Sequence, residues 1–119
     1  MSLSLDVAAT YQRGFQLRCE GRYDDAKAEL QKVLAADATH ADARWQMGLI
    51  QGFEGDFDGS LLTLAQLVSE YPSHVNARYD LAMTLAMLGM TEEACFHFRE
   101  VLRQSPTHEK ARQQIVYCP

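Results

Sequence analysis

Three histidines recur at one interval: His40, His74 and His108 are each 34 residues apart. Histidine is the commonest metal ligand and titrates near neutral pH, so a regular set invites a metal or proton-transfer reading. A 34-residue step that spans two helices separates them by roughly 15–20 Å at ordinary helix packing distances. One ion cannot bridge that, and a polar turn residue is expected at each place. Cys19, Cys95 and Cys118 are odd in number and lack metal-ligand spacing. They read as reduced thiols of a cytosolic protein. Arg44, Arg78 and Arg112 form a basic ladder, with Asp42, Asp80 and Glu109 close enough in sequence to neutralise it. The stretch "GFEGDF" holds glycines but neither phosphate-loop pattern, G-x-x-x-x-G-K-[ST] or G-x-G-x-x-G after a strand. No nucleophile, base and orienter can be placed at fixed mutual geometry. The expectation is a non-enzyme without metal or cofactor.

Charge and hydropathy narrow the partners. The net charge is −5 and the 11 basic residues are scattered. Nucleic-acid affinity rests on Lys and Arg neutralising phosphates, so none is expected here. No run approaches the roughly 18 apolar residues of a membrane span. The N-terminal stretch "MSLSLDVAATYQRGFQLRCEGRY" has no basic region followed by an apolar one, so no secretory signal is read. A cytoplasmic protein without membrane contact is expected.

The histidine interval runs through the whole chain. Gly14, Gly48, Ala82 and Val116 obey the same 34-residue step, as do Ala26, Ser60 and Ala94. So do Leu30, Leu64 and Phe98; Val33, Leu67 and Val101; and Ala38, Pro72 and Pro106. Each unit reads as two helices: Ser4 to Cys19 with Tyr23 to Ala36, Ala41 to Glu54 with Asp58 to Tyr71, and Val75 to Leu88 with Glu92 to Gln104. Glu109 to Tyr117 adds a seventh helix without a partner. Thr39 and Thr91 stand where N-caps are expected, and Glu92 and Glu93 suit a helix's positive end.

With this period and its spaced small, aromatic and proline positions, the chain resembles a tetratricopeptide repeat protein. "MGLIQGFEGDFDGSLLTLAQLVSEYP" and "LAMTLAMLGMTEEACFHFREVLRQSP" carry the resemblance best. It implies an all-α, right-handed solenoid of antiparallel helix pairs. One domain over residues 1–119 is expected, with repeats at about 7–40, 41–74 and 75–108 and a capping helix at about 109–118. Departures are informative. Thr10, Arg44 and Arg78 stand where the family often has Trp, and the one tryptophan, Trp45, comes a place later. Unit one has Ala38 for the proline and Arg13 in a small apolar slot, which suits a terminal unit with one face to solvent.

The stretch "ARWQMGLIQGFEGDF" carries two apolar stripes where a surface helix needs one. Met47 and Ile50, with Leu17, Leu81 and Leu85 of the other units, serve as the inner stripe. The second stripe is Tyr11, Phe15 and Cys19 in unit one, Trp45, Leu49 and Phe53 in unit two, and Tyr79, Met83 and Met87 in unit three. Each set is spaced i, i+4, i+8 and forms a line along one helix; Tyr117 adds the cap's share. The resemblance places these lines on the concave face, where the middle position is often Asn but here is Phe15, Leu49 and Met83. An apolar trough roughly 30 Å long is expected, with Gly52 and Ala86 leaving room beside Phe53 and Met87. Asp42, Gln46, Asn76 and Asp80 would form its rim.

Such a trough suits a protein or peptide partner, best an amphipathic helix with basic flanks. A chaperone-tail clamp, which uses Lys, Asn and Arg in related modules, is not expected. Tyr11, Phe15, Gln46, Asn76 and Asp80 stand at those places, and Asp80 would repel a carboxylate. The alternative function is a self-associating scaffold, a weak homodimer through the trough or through Leu62 and Phe96 on the convex side. The blandest outcome is that the second stripe packs on itself.

Overall fold

The computed structural model describes residues 5–119. Ser4, expected to open the first helix, lies outside them. Seven helices follow in order: α1 Val7–Cys19, α2 Tyr23–Ala36, α3 Ala41–Phe53, α4 Phe57–Glu70, α5 Val75–Met87, α6 Thr91–Gln104 and α7 Glu109–Ile115. No strand occurs among the described residues. Consecutive helices pack in pairs, and α1, α3 and α5 also touch side by side, which stacks the pairs into an elongated body 59 × 27 × 22 Å. The chain is an all-α solenoid of helix pairs.

The repeat arises from local chemistry at three kinds of place. At the start of each odd-numbered helix one side chain accepts the backbone N–H three residues on. Asp6 accepts from Ala9, His40 from Ala43, His74 from Ala77 and His108 from Ala111, all at 3.0–3.1 Å. The recurring histidines are therefore N-caps through Nδ1, satisfying donors that a helix start leaves orphaned. Thr39 instead donates its hydroxyl to Asp37, and Thr91 is already helical, with Met90 in the cap position. After each of the first three odd-numbered helices the chain turns through Gly21, Gly55 and Gly89 at φ 77°, 87° and 79°. That region is open to glycine at no steric cost, so these residues end the helices.

Within a pair, small residues let the helices approach. A Cβ on Gly14 would stand 2.9 Å from Leu30 Cδ2, and one on Gly48 only 2.7 Å from Leu64 Cδ2. Ala82 is fully buried at the matching place. Ser60 replaces the alanine of the other units and donates its buried hydroxyl to the Gly48 carbonyl at 2.8 Å. One apolar cluster gathers Ala26, Leu30, Val33, Ala43 and Ile50. A second gathers Leu64, Leu67, Leu81, Leu85 and Phe98 with smaller neighbours. Of the inner stripe, Ile50, Leu81 and Leu85 are thus core, and Leu17 and Met47 are partly buried against it.

The C-terminal end departs from the expected pattern. Cys95 on α6 and Cys118 form a disulfide, with Cα atoms 5.8 Å apart. Reduced thiols were expected; only Cys19 is free, and it is exposed. The cytosolic reading loses the support it took from those thiols. The cause is a reversal after α7. Tyr117 and Cys118 bond back to the Gln114 and Ile115 carbonyls, and Arg99 donates to the Pro119 carbonyl. The helix therefore ends at Ile115, short of Tyr117. Among the described residues no helix is long and apolar enough to cross a membrane.

The arginine ladder also pairs differently. Arg44 bonds Glu70, not Asp42, and lies over the Tyr71 ring. Arg78 is buried against His97 and the Pro72 carbonyl, away from Asp80. Arg112 approaches Glu109, at 4.0 Å. Helix geometry explains the first two: an arginine and an acid two residues apart point to different sides.

Candidate functional site: an apolar pocket between two helix pairs

The first aromatic of each line belongs to a joint. Tyr11 lies on His40, Trp45 meets His74, and Tyr79 lies on His108, with ring centroids 5.1, 5.4 and 5.1 Å apart. The same imidazole that caps one odd-numbered helix therefore packs on the first helix of the preceding pair. Trp45 Nε1 also donates to Asp80 Oδ2 at 2.7 Å, and Asp42 meets His74 Nε2 at 3.0 Å. These aromatics are half-buried and hold neighbouring pairs together.

The middle and last residues of the lines do something else. Leu49, Gly52 and Phe53 of α3, with Tyr79, Asp80, Met83, Thr84 and Met87 of α5, line an open pocket of about 270 Å³. Phe57, Ser60 and Leu64 of α4 complete the lining. Phe53 and Met87 are 56% and 62% exposed at its mouth. The lining is apolar apart from a few groups, of which Ser60 and Thr84 are satisfied: Thr84 donates to the Asp80 carbonyl at 3.0 Å. Asp80 is the one charged lining residue. Burial pushes its carboxyl above the usual carboxylate range, against the Trp45 hydrogen bond and the charges of Lys110, Arg18 and His74. Burial likewise raises the Tyr79 hydroxyl.

Of the expected trough residues, the structure brings Leu49, Phe53, Tyr79, Met83 and Met87 together with Asp80. It does not bring Tyr11, Phe15, Trp45 or Tyr117 there. Tyr11 and Phe15 stay on α1, with rings 6.5 Å apart. Tyr117 stands beyond the last helix, 79% exposed. Gln46, expected at the rim, is fully buried, because its place on α3 faces α1. It accepts from Arg18 and donates to Tyr11 Oη at 3.4 Å. Asp42 and Asn76 are exposed. Phe57, Ser60, Leu64 and Thr84 were not anticipated as lining. Gly52, which leaves them uncovered, was the signal pointing to them. Leu62 and Phe96 are 73% and 59% exposed at equivalent places on α4 and α6.

A family model for the tetratricopeptide repeat matches residues 46–109, more than half of the chain. The chain belongs to the tetratricopeptide repeat family. No curated protein matches it significantly. Among solved structures, MamA is similar over 92% of this chain and 64% of its own, at 20% identity and a TM-score of 0.82. The first repeat domain of Spaghetti (RPAP3), bound to the HSP90 peptide SRMEEVD, is similar over 92% and 87%, at 18% identity and 0.85. YrrB, described as having an unusual peptide-binding site, is similar over 93% and 57%, at 23% and 0.80. The chain thus spans less than two thirds of MamA and of YrrB. Likeness at these identities is likeness of fold.

Proposed function

We propose that this chain is a non-catalytic interaction module that takes an apolar or amphipathic segment of a partner protein across the α3–α5 face. The pocket between Leu49, Phe53, Met83 and Met87 is its anchor. The observation that carries the reading is that pocket: open, apolar, and assembled with its two most exposed walls at the mouth. Exposed apolar concavities of this kind mark interaction surfaces, and methionines adapt to varied side chains. Two structural neighbours are described with bound peptides, of HSP90 and of HSP70, which supports peptide capture as a use of this fold. The acidic peptide held by the first is a poor guide to the ligand here, since Asp80 lines the pocket. A partner with basic residues beside its anchors fits better.

The test is selection from a displayed peptide library, with Leu49→Glu as the control. Wild type should enrich peptides with two or three apolar anchors and bind them at roughly micromolar strength, since the peptide must order as it binds. Leu49→Glu should lose them while keeping helical content. No enrichment over the Leu49→Glu control would end the reading. A second reading, self-association, is favoured by the exposed equivalents Leu62 and Phe96. Sedimentation across a concentration series decides it, because only self-association responds to concentration alone.

A further inference from the structure

The pocket has a counterpart one unit earlier, and there the chain fills it. Thirty-four residues before Gly52 stands Arg18. Its Nε donates to Gln46, and its guanidinium carbon lies 5.2 Å from the Phe15 ring centroid and 6.0 Å from that of Phe53. Moved on by one 34-residue step, those contacts become Asp80, Leu49 and Met87, and all three line the open pocket. Leu49 and Met87 in place of Phe15 and Phe53 keep the walls apolar, and two further substitutions change the chemistry of the site. Glycine replaces the arginine, and an aspartate replaces the neutral acceptor. The glycine is not demanded by the fold: a Cβ there would stand 3.5 Å from Ser60 Oγ, an ordinary contact, and its φ is helical. What it supplies is space. The aspartate supplies a half-buried charge whose Oδ2 is held by Trp45, and no residue among those described bonds Oδ1.

We propose that the pocket takes an arginine side chain from a partner, its guanidinium on the Asp80 carboxylate and its stem between Leu49, Phe53 and Met87, completing in trans what Arg18 does in cis. The proposal rests on the interaction-module reading and names its ligand. A guanidinium suits the site better than an ammonium. It is flat, weakly hydrated, stacks on rings such as Phe53, and forms strong hydrogen bonds to carboxylates. An arginine also carries the apolar stem that these walls require. Lys110, Arg18 and His74 act on Asp80 through their charges, but none of the described residues forms an ion pair with it.

The experiment uses the whole chain, labelled with ¹⁵N, and three small probes: the N-acetyl N-methylamides of arginine, citrulline and norleucine. Citrulline keeps the shape of arginine without its charge. The arginine probe should shift the amides of Gly52, Asp80 and Thr84 saturably, and citrulline should bind at least about tenfold more weakly, the weight of one charge-assisted hydrogen bond. Asp80→Asn keeps an acceptor for Trp45 and should reduce arginine to the citrulline level. Gly52→Arg should abolish the response by filling the pocket from within, whereas Gly52→Ala should keep it. If Gly52→Arg fails to fold, Asp80→Asn carries the test. Equal or stronger binding of citrulline or norleucine overturns the arginine proposal and leaves the apolar-anchor reading standing. Absence of any pocket response to arginine also overturns it, and the library selection then judges the broader reading separately.

Discussion

A histidine at the head of a helix has to do two jobs here. Through Nδ1, His74 caps α5, and its ring packs edge-on with Trp45 of the preceding pair. His74→Ala removes both and should lower stability by about 1–2 kcal/mol, whereas His74→Asn keeps the cap and should lose less. Urea midpoints at constant m-value will order the three proteins. Asp6 at the matching place of α1 shows that a short acceptor serves as a cap there. Asp80 gives a pH signature. Its carboxyl lies above the usual range in the folded chain, so the folded state binds its proton more readily than the unfolded one. Stability therefore falls as pH rises through that window, and the ionised form costs stability at neutral pH. Asp80→Asn should be neutral or stabilising at pH 7, with any advantage gone in acid below the ordinary carboxylate range. A large loss at pH 7 in thermal melts would contradict this account. The sequence named Asp80 and Gln46 together as rim residues and showed nothing of their burial. Burial depends on which helix lies opposite, and residue type carries no record of that.

Helix α3 carries two glycines four residues apart with opposite duties. Gly48 lies where a Cβ would meet Leu64 at 2.7 Å, while Gly52 faces open space but for Ser60. Gly48→Ala should destabilise by about 1–3 kcal/mol, since overpacking outweighs better helix propensity. Gly52→Ala should stabilise by up to about 1 kcal/mol, because propensity acts unopposed. Equal effects in denaturant titrations would mean that the two sites do not differ as described. Leu64→Ala should cost about 2–5 kcal/mol, the ordinary loss for a buried leucine. It should also deepen the pocket, because Leu64 lines it. The elements themselves were legible because the turn histidines and the small crossing residues keep one register, although the caps were read at Thr39 and Thr91 and not at those histidines. Their use was less so. Tyr11, Trp45 and Tyr79 read as trough anchors from their i, i+4, i+8 lines, yet each is spent on a joint with the histidine that caps the next odd-numbered helix.

An array of this kind owes its stability to contacts between neighbours, and its ends lack one. At the C-terminal end the Cys95–Cys118 disulfide ties the tail after α7 back to α6. Cys118→Ser should lower stability by about 2–4 kcal/mol, the usual effect of such a cross-link. Hydrogen exchange should show α7 opening first, and uniform loss of protection along the chain would argue against an end clasp. The solenoid followed from periodicity, whereas the disulfide breaks it. Equivalents of Cys95 are Leu61 and Lys27, and those of Cys118 are Thr84, Ile50 and Gln16. A pattern that repeats cannot announce a contact made once, which is why the thiols were misread.

The three joints are built alike, but only the middle one contains an indole. Trp45 is the sole tryptophan, wedged between His74 and the Asp80 carboxylate. Its emission is therefore a local optical gauge of the α3–α5 seam, while far-ultraviolet dichroism averages all seven helices. Overlaid on one denaturation axis, the two signals compare a single seam with the whole stack. Any interval between their midpoints measures how far the array comes apart piece by piece.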